Sequence, residues 1–106
     1  MIRNTKKKRV RDNEHTVYPA SSVNGENVIC VCDLSHHKDS KCWVLHTKSA
    51  IYLQSYNTIV SKYYEKDGEN RIIESKHSTT TSRQQTWFAH ECNCRNRKVV
   101  ESVIGE

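Results

Sequence analysis

Apolar residues recur along this chain in short bursts separated by polar turns. The first burst is Val28-Ile-Cys-Val-Cys-Asp-Leu34, rich in β-branched side chains and preceded by the turn chemistry of Ser21-Ser-Val-Asn-Gly25. It predicts a strand covered on both faces. Alternation along a strand places Cys30 and Cys32 on one face with Val28 and Leu34. Ser35 to Lys41 is a polar turn. Cys42-Trp-Val-Leu-His46 is a second strand or the first turn after a loop.

Residues 48 to 66 carry the clearest periodicity. Tyr52, Leu53, Tyr56, Ile59, Val60, Tyr63 and Tyr64 recur at steps of three and four, the apolar stripe of an amphipathic helix. Thr47 or Ser49 suits its cap, Lys62 and Lys66 its last turns, and Gly68 its left-handed stop. Two features oppose it. Asn57 to Val60 are poor helix formers, and Asp67-Gly68 is also a hairpin turn leading onto Arg71-Ile-Ile. We expect the helix. Further on, Arg71 to Ser75 predicts a strand and His77 to Arg83 a polar loop. Gln85 to Cys92 predicts a strand with Phe88, His90, Cys92 and Cys94 on one face. Asn96 is placed to cap a short last helix, with Val99, Val100, Val103 and Ile104 on its apolar side and Gly105 as its stop.

Composition narrows the class. The chain has 106 residues, 35% apolar and 27% charged, so one domain with a thin core is expected. Such domains usually need a staple: disulfides, a metal or a partner. The formal charge is +5, and Arg3, Lys6, Lys7, Lys8, Arg9 and Arg11 supply the excess. Without those six, 11 basic side chains face 12 acidic ones. The body is therefore about neutral and residues 1–22 read as a basic flexible arm before a single globular domain, 23–106. Such an arm attracts phosphate polyanions without reading sequence. No apolar run is long enough to span a membrane, and no apolar segment follows the basic run as in a signal peptide. An intracellular location is expected, nuclear in a eukaryote, or secreted if Met1 is an added start.

The five cysteines carry the candidate chemistry. Zinc takes four ligands from thiolate sulfur and imidazole nitrogen. A first set is Cys30, Cys32, Cys42 and His46, in which Cys42 and His46 stand one turn apart if a helix has begun. A second is His90, Cys92 and Cys94, completed by His77, His36 or His37. A third joins Cys30, Cys32, Cys92 and Cys94. Disulfides and packed, inert thiols are the alternatives. The fold class expected is thus α+β: a small zinc-stapled domain with short antiparallel strands, one main amphipathic helix (about 48–66) and a short C-terminal helix.

Cys30-Val-Cys32 followed after nine residues by Cys42 resembles the SWIM-type zinc finger, whose pattern is Cys-x-Cys, a variable gap, then Cys-x-His. His46 follows Cys42 after three residues where that pattern has one. The resemblance implies bound Zn2+, a helix after Cys42 and an association with nucleic acid. The paired Cys-x-Cys spacings also resemble cystine-knot growth factors, which implies a secreted, disulfide-bonded signalling protein. Only Cys42 lies between the pairs, so a full three-bridge knot is excluded.

No Gly-rich phosphate loop or nucleophile elbow is present, and we expect no enzyme. The leading expectation is a zinc-binding regulatory module that contacts nucleic acid through Lys6, Lys7, Lys8, Arg9 and Arg11 and through Arg95, Arg97 and Lys98. Trp43, Trp87 and Phe88 are candidates for base stacking or, more simply, core. A face of Tyr52, Tyr56 and Tyr63 would suit a protein partner, as in a viral-type inhibitor or adaptor.

Overall fold

The computed structural model describes residues 17–34 and 41–105. Lys6, Lys7, Lys8, Arg9 and Arg11 lie outside the described residues, as do His36 and His37. Ser22–Val23 (β1) and Glu26–Asn27 (β2) form a small hairpin. Its turn residues Asn24 and Gly25 take φ of 51° and 80°, the left-handed conformation that Asn and Gly accept most readily. Then come Cys30–Cys32 (β3), Cys42–His46 (β4), Ile51–Ser55 (β5), Thr58–Lys66 (β6) and Glu69–Glu74 (β7). A helix, Thr79–Glu91 (α1), leads to the last strand, Arg97–Val99 (β8).

Strands β3 to β8 make one six-stranded sheet in chain order. Neighbours are antiparallel except β7 and β8, which run parallel across the α1 crossover. The architecture is α+β, with a mixed sheet and, among the described residues, one helix. No helix among the described residues is long and apolar enough to cross a membrane.

The expected helix over 48–66 is instead the β5–β6 hairpin. Tyr56 and Asn57 form its turn, with Tyr56 at φ 55°. The helical stripe was an accident of a sheet buried on both sides. Tyr52 is 1% exposed on one face and Leu53 is fully buried on the other. The turn and a bulge opposite Leu53 and Gln54 then shift the alternation, so the apolar positions mimic steps of three and four. Asp67-Gly68 does form the β6–β7 turn, with φ of 57° and 79°.

Two further expectations are corrected. Gln85 to Glu91 is helix with Cys92 as its cap, and Asn96 to Ile104 contains β8 rather than a C-terminal helix. In α1 the buried positions are Thr81, Gln84, Gln85, Phe88 and Ala89, the i, i+3, i+4, i+7, i+8 stripe of an amphipathic helix. Its polar part hid it from a hydrophobicity reading. Ser55 Oγ donates to Gln84 Oε1 at 2.7 Å, and Gln85 Nε2 donates to Val60 O at 2.9 Å and Ser75 O at 2.7 Å. Buried amides of this kind are tolerated because they are bonded. Ser78 caps the helix by accepting from the Thr81 N–H at 3.3 Å.

The sheet is thus covered twice. Phe88 and Ala89 of α1 pack on Val44, Leu53, Val60 and Ile72. On the opposite face the chain ends take the helix's place: Val23 and Val103 pack on Leu45, Tyr52 and Ile73. Tyr18 and Ala20, within the stretch expected to be an arm, are bonded to β5. Gln54 Nε2 donates to Tyr18 O at 2.9 Å, and the Ala20 N–H donates to Gln54 Oε1 at 2.8 Å. Asn24 Oδ1 accepts from the Gly105 N–H at 2.8 Å and so ties the two ends together.

Candidate functional site

Strand alternation and register decide where the cysteines go. On β3, Cys30 and Cys32 point to one face, both exposed, with their sulfurs 3.6 Å apart. Cys30 is paired with His46 and Cys32 with Val44, so His46 shares their face. Cys42 does not join them. It sits on β4, where four residues at about 3.3 Å each put it roughly 13 Å along the strand from His46. The helical spacing expected for Cys42 and His46 is absent, and β5 follows where the SWIM-type layout has a helix. Cys42 is fully buried in the helix-side core, where a thiol packs as a small hydrophobe.

The second set is placed by the stop of α1. Asn93 takes φ 53°. Its N–H donates to His90 O at 3.0 Å, and the Cys94 N–H donates to Ala89 O at 3.1 Å. These are the two bonds of a Schellman termination, with Asn in the left-handed position. The turn separates the three residues. His90 stands exposed on the last helical turn, and Cys92 is half-buried at the cap. Cys94 is buried, donating weakly to Asn70 O at 3.6 Å. Burial, reinforced by Cys94 and Glu91, pushes the Cys92 thiol up to about 12. The Cys32 thiol is also raised, chiefly by its contact with Cys30. Among the described residues, no three His, Cys, Asp or Glu side chains stand together as a metal cage. The second set and the joined four-cysteine set are therefore not assembled.

A different constellation is assembled on α1. The residues opposite its buried stripe are Ser82, Arg83, Thr86, Trp87 and His90, and with Thr79 they line a groove of about 490 Å³. The Trp87 and His90 rings lie 5.8 Å apart at 47°. His90 also borders a second hollow of about 270 Å³, lined by Ala89, Asn93, Cys94, Arg95 and Arg97. The two join into one surface carrying Arg83, Trp87, His90, Arg95 and Arg97, with no carboxylate in either lining. Two nitrogens of Arg97 lie 3.1 Å from one oxygen of Glu74. Arg83 and Arg95 are exposed and lack an acidic partner among the described residues.

The expected cluster Arg95, Arg97 and Lys98 is split by strand alternation. Arg97 pairs with Ile72 on the helix side, whereas Lys98 pairs with Ile73 on the other. Lys98 borders a separate hollow with Lys66 and Arg71. The tyrosine face is likewise dispersed: Tyr52 is buried among the chain ends, Tyr63 lies on the helix side and Tyr56 is exposed in a turn. Phe88 is core, Trp43 packs on the chain-end side and Trp87 is half-buried in the α1 groove. A loop over His77 to Arg83 and a strand from Gln85 to Cys92 would set Arg83, Trp87 and His90 apart; the helix Thr79–Glu91 aligns them. Steps of four and three across those residues were the available signal.

A model of a family of unknown function, DUF8033, matches residues 5–102, and the chain belongs to that family. No curated protein and no solved structure matches it.

Proposed function

We propose that this member of the DUF8033 family is a non-catalytic binding module that contacts nucleic acid through the outer face of α1 and the loop into β8. One observation carries the reading: Arg83, Trp87 and His90 share a helical face that continues into Arg95, with no carboxylate lining it. Guanidinium groups hold phosphate oxygens through charge and paired N–H donors. A half-exposed indole offers a face on which a base stacks whatever its sequence. The basic residues Lys6 to Arg11 add sequence-blind attraction along the same strand of nucleic acid. Single strands suit the surface better than duplex, because stacking on Trp87 needs an unpaired base.

Fluorescence anisotropy with a labelled single-stranded oligonucleotide, repeated over a range of salt concentrations, tests this. Affinity is expected to fall with salt. Replacing both Arg83 and Arg95 by Ala lowers the log–log slope by about 1.4, since each single-strand phosphate contact contributes about 0.7. Trp87→Ala costs about 1–3 kcal/mol of binding. Deleting residues 1–11 separates the arm from the helix. If that deletion removes all binding and the α1 substitutions change nothing, the α1 surface is not the site.

A further inference from the structure

We infer that Cys30, Cys32 and His46, closed by Cys92 from the cap of α1, form a binding site for a thiophilic divalent cation of the zinc class. This is independent of the α1 surface. The geometry begins with the two sulfurs, 3.6 Å apart and exposed on β3. Two thiolates on one tetrahedral zinc, each at about 2.3 Å, stand about 3.8 Å apart. The pair is therefore spaced as two corners of such a site before any ion arrives.

His46 supplies the third corner. It is the direct cross-strand neighbour of Cys30, and such neighbours have Cβ atoms about 4.5–5.5 Å apart on one face of the sheet. Rotation about the side-chain bonds brings an imidazole nitrogen to an ion held by the two sulfurs. The fourth corner comes from across the groove. His46, Cys92, Glu91 and Tyr63 line one hollow of about 290 Å³ between the sheet and the end of α1. The site needs side-chain rotation to close, because the ligands do not yet stand together. Soft thiolates with imidazole favour zinc over calcium or magnesium. Each coordinating thiol gives up its proton to solvent as its sulfur binds the ion. Cys42 belongs to the core and takes no part. A cation here would tie the outermost strand, β3, to the far end of the helix.

Purified protein is stripped with chelator and titrated with zinc under native mass spectrometry, and with cobalt(II) by absorption. One equivalent is expected, with a thiolate-to-cobalt charge-transfer band. Cys30→Ser and Cys32→Ser each weaken binding by no less than the about 10–100-fold that outer-shell changes cost, and His46→Ala and Cys92→Ser weaken it less. Cys42→Ala leaves the affinity unchanged. In the unsubstituted protein, zinc protects Cys30 and Cys32 from alkylation, read by peptide mass spectrometry, which requires no variant to fold. No zinc uptake overturns the site. So does uptake that persists undiminished in the Cys30→Ser, Cys32→Ser double variant, or zinc that leaves both thiols open to alkylation.

Discussion

Cys30-Val-Cys32 and Cys92-Asn-Cys94 share one spacing and have opposite surroundings. The first pair lies on the edge strand of the sheet, with both thiols exposed and their sulfurs in contact. The second straddles a left-handed residue at the end of a helix, so its members diverge: Cys92 lies at the cap and Cys94 under it. An intervening residue in extended conformation aligns two side chains; one in the left-handed region turns them apart. Sequence spacing alone does not make a chelating pair. The conformation of the residue between the cysteines does.

Reactivity provides the sharpest test of that contrast. In metal-free protein at mild pH, a thiol reagent should modify Cys30 and Cys32 at once, while Cys42 and Cys94 wait for the fold to open. A fold of ordinary stability, about 5–15 kcal/mol, delays them by about 10³-fold or more. Peptide mass spectrometry over time reads all the cysteines together. Comparable rates for Cys30 and Cys94 would erase the distinction between the pairs.

Cys92 should separate from both groups by its pH dependence. The thiolate is the reactive form, and burial pushes this thiol up to about 12. Its labelling rate should therefore climb about tenfold per pH unit above neutrality and level off only near that value. The measurement is confined to pH values at which circular dichroism shows the fold intact. A plateau near the ordinary thiol range would mean that Cys92 is more open to water than its half-buried position implies.

Stability should show the smallest difference. Cys94→Ala and Cys42→Ala remove packed core sulfur and should each cost about 1–3 kcal/mol. Cys30→Ala and Cys32→Ala should lie within about 0.5 kcal/mol of the unsubstituted, metal-free protein. Urea denaturation at constant slope measures all four. Equal losses at the two pairs would place Cys30 and Cys32 in a core the structure does not show.

Parts of this fold were legible because local chemistry dictates them. Asn24-Gly25 and Asp67-Gly68 accept left-handed backbone and make turns wherever they occur. The β-branched run around Ile72 became a strand, whereas the run around Val31 is a strand only over Cys30–Cys32 and is exposed there, not covered on both faces as expected. Hydrophobic spacing failed where burial was unusual. It read β5 and β6 as a helix because both sheet faces are covered and a bulge breaks their phase. It missed α1 because Thr81, Gln84 and Gln85, on the buried side, are polar. The α1 surface went unseen with the helix itself. Of the first expected zinc set, Cys30, Cys32 and His46 do share a face, and Cys42 does not join them, because β4 is a strand.

The sequence by itself determined the turns at Asn24-Gly25 and Asp67-Gly68, the excess of positive charge ahead of a near-neutral body and the side-chain alternation that brings Cys30 and Cys32 together. These depend on residues close in the chain and on the fixed geometry of the backbone. Tertiary structure alone decided that polar glutamines anchor the helix, that Cys42 and Cys94 are core, and that His46 stands opposite Cys30. Those outcomes rest on partners distant along the chain: the bulge carbonyl that accepts from Gln85, the helix that covers Cys42, and the register that aligns β3 with β4. Propensity and periodicity describe neighbours along the chain, whereas burial, pairing and register depend on contacts across the fold.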